Sequence, residues 1–66
     1  MELIVNGDSM SFDENITLLE LIKKLSIEDR VMAAAVNMEI VKKEKWDERI
    51  LVDGEKIELL DFVGGG

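Results

Sequence analysis

Ile16-Thr17-Leu18-Leu19-Glu20-Leu21-Ile22-Lys23-Lys24-Leu25 decides the fold, because it carries the strongest helix signature in the chain. Thr17 and Glu20 stand in a capping-box relation. The threonine hydroxyl accepts the amide hydrogen of position 20, and the glutamate reaches back to the amide of 17. Ile16 and Leu21 fall at the two positions of a hydrophobic staple around that cap. Leu18, Leu21, Ile22 and Leu25 recur at i, i+3, i+4, i+7 and form one apolar stripe. Lys23 and Lys24 occupy the last turn, where positive charge complements the exposed carbonyls. The spacing predicts a helix over about 17–25, with no glycine to mark its end.

Upstream, Leu3-Ile4-Val5 runs into Asn6-Gly7, with Met10-Ser11-Phe12 behind it. Asn-Gly between two apolar segments is a strong hairpin signal, because both residues tolerate positive φ. Downstream, Val31-Met32-Ala33-Ala34-Ala35-Val36-Asn37 reads as a strand entering a tight turn and continuing through Glu39-Ile40-Val41. Lys42 to Arg49 is charged and reads as a loop or short helical turn; its Trp46 ring is expected to plug one end of the core. Ile50-Leu51-Val52 meets a second turn signal, Asp53-Gly54, and Glu55 to Asp61 alternates at first and forms the last strand. The order is strand, strand, helix, strand, short strand, strand. The first and last strands can lie side by side in parallel because the helix crossover separates them. The expected architecture is α+β: a ubiquitin-like β-grasp, with a mixed sheet of four to five strands packed on one helix.

Composition narrows the function. Sixty-six residues make one small domain, and 47% hydrophobic with 35% charged residues suits a folded globule. The chain has neither cysteine nor histidine, so disulfides, thiol nucleophiles, histidine bases and zinc clusters are excluded. Eight basic against 15 acidic side chains give a net charge of −7, which disfavours nucleic acids and anionic membranes as partners. The apolar run from Val31 to Val36 is too short to span a bilayer, and no leader pattern precedes the first strand. The expected location is cytoplasmic.

The sequence ends Asp61-Phe62-Val63-Gly64-Gly65-Gly66. Glycine has no Cβ, so residues 64–66 are expected to form a flexible tail behind a domain over 1–63. Five residues from Phe62 reach roughly 17 Å when extended, enough to enter another protein's active site while the globule docks outside. A frayed terminus without a role is the plain alternative.

Taken together, Val5-Asn6-Gly7, Ile16 to Ile22, Val36-Asn37 with Glu39-Ile40-Val41, Asp53-Gly54-Glu55-Lys56-Ile57-Glu58 and Phe62 to Gly66 resemble the ThiS family. These are sulfur carrier proteins of thiamine biosynthesis. The resemblance runs along essentially the whole chain, with Met38 standing where the family often has glycine. It implies a non-enzymatic carrier with no bound cofactor. The terminal carboxylate is adenylated with ATP by a ubiquitin-activating-type adenylyltransferase (ThiF-like) and converted to a thiocarboxylate. A sulfur donor protein supplies the sulfur, which passes to thiazole synthase (ThiG-like). By matching, Gly66 bears the sulfur, Gly65 is its required neighbour, and Gly64 matches the tail more loosely. The small subunit of molybdopterin synthase, another sulfur carrier, a ubiquitin-like modifier and a plain interaction domain remain alternatives.

The chemistry of the residues agrees. An ionised terminal carboxylate is a poor electrophile, and joining it to AMP supplies a leaving group. Without a cysteine, sulfur held covalently here must sit on the backbone as a thioacid. Elsewhere, Glu44, Asp47 and Glu48 read as a solvated face rather than a metal site, and Lys42, Lys43 and Lys45 as an ordinary surface loop. If Met32, Ala34 and Val36 face the helix, Ala33 and Ala35 lie on the open sheet face. With Leu60, Phe62 and Val63 they form a candidate docking surface for the activating enzyme.

Overall fold

The computed structural model describes residues 1–61. In chain order the elements are β1 (Glu2–Val5), β2 (Asp8–Ser11), α1 (Leu18–Lys24), β3 (Val31–Val36), β4 (Glu39–Val41), a 3₁₀ turn (Lys43–Lys45) and β5 (Lys56–Asp61). The five strands form one sheet in the order β2-β1-β5-β3-β4. β5 lies in the centre, parallel to β1 and antiparallel to β3, while both hairpins are antiparallel. With α1 on one face, this is the ubiquitin-like β-grasp.

Two turns set the hairpins. Asn6 and Gly7 have φ of 49° and 88°, and Asn37 and Met38 have 52° and 71°. Consecutive left-handed residues match the twist of the strands they join, which is why asparagine leads both turns. The first turn is so tight that β2 starts at Asp8, two residues before the Met10 expected from alternation.

The helix forms as its cap predicts. Thr17 Oγ1 accepts the Glu20 N–H at 3.1 Å, and Glu20 Oε1 accepts the Thr17 N–H at 2.9 Å. The next free donors, the N–H groups of Leu18 and Leu19, reach the carbonyls of Arg49 and Trp46 at 2.9 and 3.0 Å. The charged segment thus closes the helix start that the capping box leaves open. At the far end Ser26 takes the left-handed position (φ 59°) that glycine usually fills, and its N–H bonds the Lys23 carbonyl.

The core lies between helix and sheet. Leu18, Leu21 and Ile22 pack with Leu3 and Val5 of β1, Val31, Ala34 and Val36 of β3, and Ile57 and Leu59 of β5. Burying each larger aliphatic side chain contributes about 1.5–3 kcal/mol. Trp46 is 1% exposed and donates its indole N–H to the Val41 carbonyl at 2.9 Å, so the ring does plug the core and its polar edge is satisfied.

Ile50-Leu51-Val52 stays outside the sheet: Ile50 makes one isolated bridge to Thr17, and Leu51 alone of the three is buried. One expectation changes: Met32 does not face the helix. A register shift between Val31 and Ala33 leaves Met32 as an extra residue, 66% exposed, and Val31 takes its place in the core. The expected domain limit at 63 and the glycine tail 64–66 lie outside the described residues.

Candidate functional site

The residues that the sequence marks as reactive, Gly64, Gly65 and Gly66, and the docking candidates Phe62 and Val63 also lie outside the described residues. What the structure places is the strand that leads to them. β5 enters the sheet at Lys56 and runs through its centre to Asp61.

The start of β5 is clasped by charge. Glu55 accepts Arg49 Nη2 at 2.7 Å, the Val52 N–H at 2.8 Å and Asn37 Nδ2 at 3.0 Å. Arg49 is bidentate, its Nη1 lying 3.4 Å from Glu55 Oε1 while also donating to the Ile50 carbonyl. Asn37 completes the clasp: its Oδ1 accepts the Lys56 N–H at 3.0 Å and its own N–H bonds the Lys56 carbonyl at 2.8 Å. Burial pushes the Glu55 carboxyl up. The hydrogen bonds from Arg49, Val52 and Asn37, with the Arg49 charge, outweigh that and hold it below the usual carboxylate range. The Glu55 side chain is 14% exposed and that of Arg49 35%, so water weakens this ion pair only partly.

The exit of β5 is held differently. β1 pairs with β5 only through Ile4↔Lys56 and Val5↔Ile57 before turning away. Beyond that point Asn6 Oδ1 accepts the Leu59 N–H at 2.8 Å. On the other side β3 accompanies β5 to Val31↔Asp61.

Around the exit the sheet shows its open face. Ala33 lies opposite Leu60, Ala35 opposite Glu58, and Ile40 opposite Ala35. Together with Asn6 these side chains line one shallow depression. Leu60 and Ile40 are 61% and 72% exposed, whereas Ala35 is covered by its neighbours although it lies outside the core cluster. The structure therefore brings Ala33, Ala35 and Leu60 together beside the strand that leads to the glycines.

Other clusters build no site. Glu44, Asp47 and Glu48 are exposed, and Glu48 only pairs loosely with Lys45 at 3.8 Å. Lys43 stands over the Trp46 ring at 5.9 Å. Among the described residues no group of three or more potential metal ligands converges, no polar or charged side chain is fully buried, and no helix is long and apolar enough to cross a membrane. The sequence reading missed the side-chain roles of Asn6, Asn37 and Arg49. The two asparagines were legible only as turn formers, and Arg49–Glu55 spans a loop with no local pattern.

Comparison with known proteins places this arrangement. The family model of the ThiS family matches residues 3–66. The sulfur carrier protein ThiS of Escherichia coli is 32% identical over 66 residues, covering all of both chains. That of Bacillus subtilis is 32% identical over 65 residues, covering 97% of this chain and 98% of its own. A thiazole synthase of Paramagnetospirillum magneticum is 35% identical over 66 residues, but the chain spans only 20% of that larger protein. In three dimensions, the crystal structure of the thiamine biosynthesis protein ThiS from Geobacter metallireducens superposes with a TM-score of 0.82. It is 33% identical, with both chains fully covered. The chain belongs to the ThiS family of sulfur carrier proteins of thiamine biosynthesis, built on the ubiquitin-like β-grasp fold.

Proposed function

We propose that this protein carries sulfur on the carboxylate of Gly66 for the thiazole ring of thiamine. The observation that carries the reading is the end-to-end match to ThiS, which spans this chain and that of a named sulfur carrier in full. A thiazole synthase with a stretch similar to this whole chain supports a ThiG-like enzyme as the acceptor.

The reaction proceeds in two balanced steps. In the first, the Gly66 carboxylate attacks the α-phosphate of ATP on a ThiF-like adenylyltransferase, forming an acyl adenylate and releasing pyrophosphate. In the second, hydrosulfide, the form in which the donor protein releases its sulfur, attacks the acyl carbon. A C–S bond forms, the C–O bond to AMP breaks, and the products are a thiocarboxylate, AMP and a proton. The enzymes supply the catalysis; this chain supplies the group to be activated. Gly64, Gly65 and Gly66 carry no side chain to clash with the walls of a narrow channel.

Docking precedes insertion. Ala33, Ala35 and Leu60, with Phe62 and Val63, form the surface that meets the adenylyltransferase while the glycines enter its active site. Replacing Leu60, an exposed residue, by glutamate is expected to raise the KM for adenylation about tenfold with the fold intact. Adenylation of folded Leu60→Glu at the normal KM would remove this surface from the account. The carrier reading itself is tested by intact mass after incubation with ATP, sulfide and the adenylyltransferase. Terminal oxygen replaced by sulfur supports a carrier, isopeptide adducts on other proteins indicate a modifier, and an unchanged mass leaves neither.

A further inference from the structure

β5 is the strand that leads to the glycines, and its β1 side stops early. In a parallel ladder one residue of a strand both donates to and accepts from its neighbour strand, and the pattern repeats every two residues. Ile4 donates to the Glu55 carbonyl at 3.0 Å and Asn6 to the Ile57 carbonyl at 2.9 Å. Continued, the pattern would give the Leu59 N–H to the backbone carbonyl of Asn6. Asn6, however, is left-handed (φ 49°), because the chain turns there into β2. The Leu59 N–H meets the side-chain Oδ1 of Asn6 instead, at 2.8 Å. One carboxamide thus imitates the missing step of the ladder.

We infer that Asn6 is a positioning residue for sulfur loading: its carboxamide fixes where β5 leaves the β1 side of the sheet and so sets the point from which the reactive end reaches into the adenylyltransferase. The inference rests on the carrier reading given above. Asparagine suits the position twice over, since it tolerates the left-handed backbone and also carries an acceptor at the reach of one side chain. Glycine would serve the turn equally well but would leave the partly buried Leu59 donor without its partner. Once the globule has docked, insertion of Gly66 is an intramolecular step, and its rate follows the effective concentration of the carboxylate at the active site. Loosening the last anchor on one side of the strand spreads that carboxylate over a larger volume. Docking uses Ala33, Ala35 and Leu60, which the substitution leaves in place, although Asn6 borders the same depression. The consequence falls mainly on kcat.

The test compares three forms of the full chain. In the unsubstituted protein the Leu59 amide is protected from hydrogen exchange. In Asn6→Gly its exchange accelerates about three- to fivefold, the worth of one neutral hydrogen bond. In adenylation by the ThiF-like enzyme, with ATP in excess, Asn6→Gly lowers kcat about three- to tenfold, with KM changed less than kcat. Asn6→Asp, which keeps an oxygen at the same place, restores both readouts. A residue needed only for folding would shift the melting temperature and leave kcat of the folded variant alone, so an unchanged kcat overturns the inference. A Leu59 amide that exchanges like an exposed one in the unsubstituted protein overturns it too, without any variant. Absence of adenylation in the unsubstituted protein overturns the carrier reading itself, and is thereby distinguished from a failure confined to Asn6.

Discussion

The two ends of β5 are each held by an asparagine that opens a left-handed turn, yet the holds differ in kind. At the start, Asn37 uses both side-chain atoms and shares its partner Glu55 with Arg49 and the Val52 N–H. At the exit, Asn6 offers a single acceptor to Leu59, with β3 alone continuing beside the strand. The glycines follow the lightly held end. On the carrier reading, a strand fixed by ionic contacts at its entry and, on its β1 side, by one neutral hydrogen bond at its departure keeps the core intact while the chain beyond it is used. On that reading, stability and delivery fall to opposite ends of the same element.

The comparison can be broken most sharply at the start. Glu55→Gln keeps the shape but turns one acceptor into a donor facing Arg49, Val52 or Asn37, and is expected to cost about 2 kcal/mol at pH 7 by denaturant unfolding. The Glu55 carboxyl is held below the usual range in the folded protein, so its stabilisation is present above the ordinary glutamate pKa of about 4.3. It fades as pH falls through the depressed folded value. The gap between Glu55→Gln and the unsubstituted protein should therefore close in acid; a gap independent of pH would show that the charge of Glu55 is not what holds the start.

A smaller effect of opposite sign is expected at the second turn. Met38 sits at φ 71° and is 83% exposed, so it bears left-handed strain and packs little. Met38→Gly should stabilise the fold by about 1 kcal/mol, read as a rise in denaturation midpoint. A loss of stability would mean that the exposed methionine contributes contacts that outweigh its backbone. Smallest of all should be the stability cost of Asn6→Gly, below about 1 kcal/mol, because its turn is preserved and its effect falls on delivery. A cost as large as that of Glu55→Gln would erase the distinction between the two ends.

Much of this fold was legible in the sequence because its signals are local. The capping box of Thr17 and Glu20 needs only four residues, and Asn6-Gly7 needs two. Trp46 was legible as a core plug, but its acceptor, the Val41 carbonyl, was not. The misplacement of Met32 has a physical cause: alternation assumes an unbroken strand, and the bulge is decided by register against β5, thirty positions away in sequence. Ile50-Leu51-Val52 has a strand's composition, yet its backbone meets the segment before the helix, Ile50 bridging Thr17 and the Leu51 N–H reaching the Ile16 carbonyl. The sequence marked the candidate site as a chain end, which lies outside the described residues, and a face, of which the structure brings Ala33, Ala35 and Leu60 together. The contacts that hold β5 were not legible, because Asn6–Leu59 and Arg49–Glu55 join segments that only the folded sheet brings together.

The central claim is that sulfur enters at the Gly66 carboxylate. The most direct measurement is intact mass, with fragment localisation, of the free-ended protein and of a C-terminally amidated form after incubation with ATP, sulfide and the ThiF-like adenylyltransferase. The account expects oxygen exchanged for sulfur at Gly66 in the free form and no change in the amide. Sulfur acquired by the amidated protein, or located on any other residue, would contradict it.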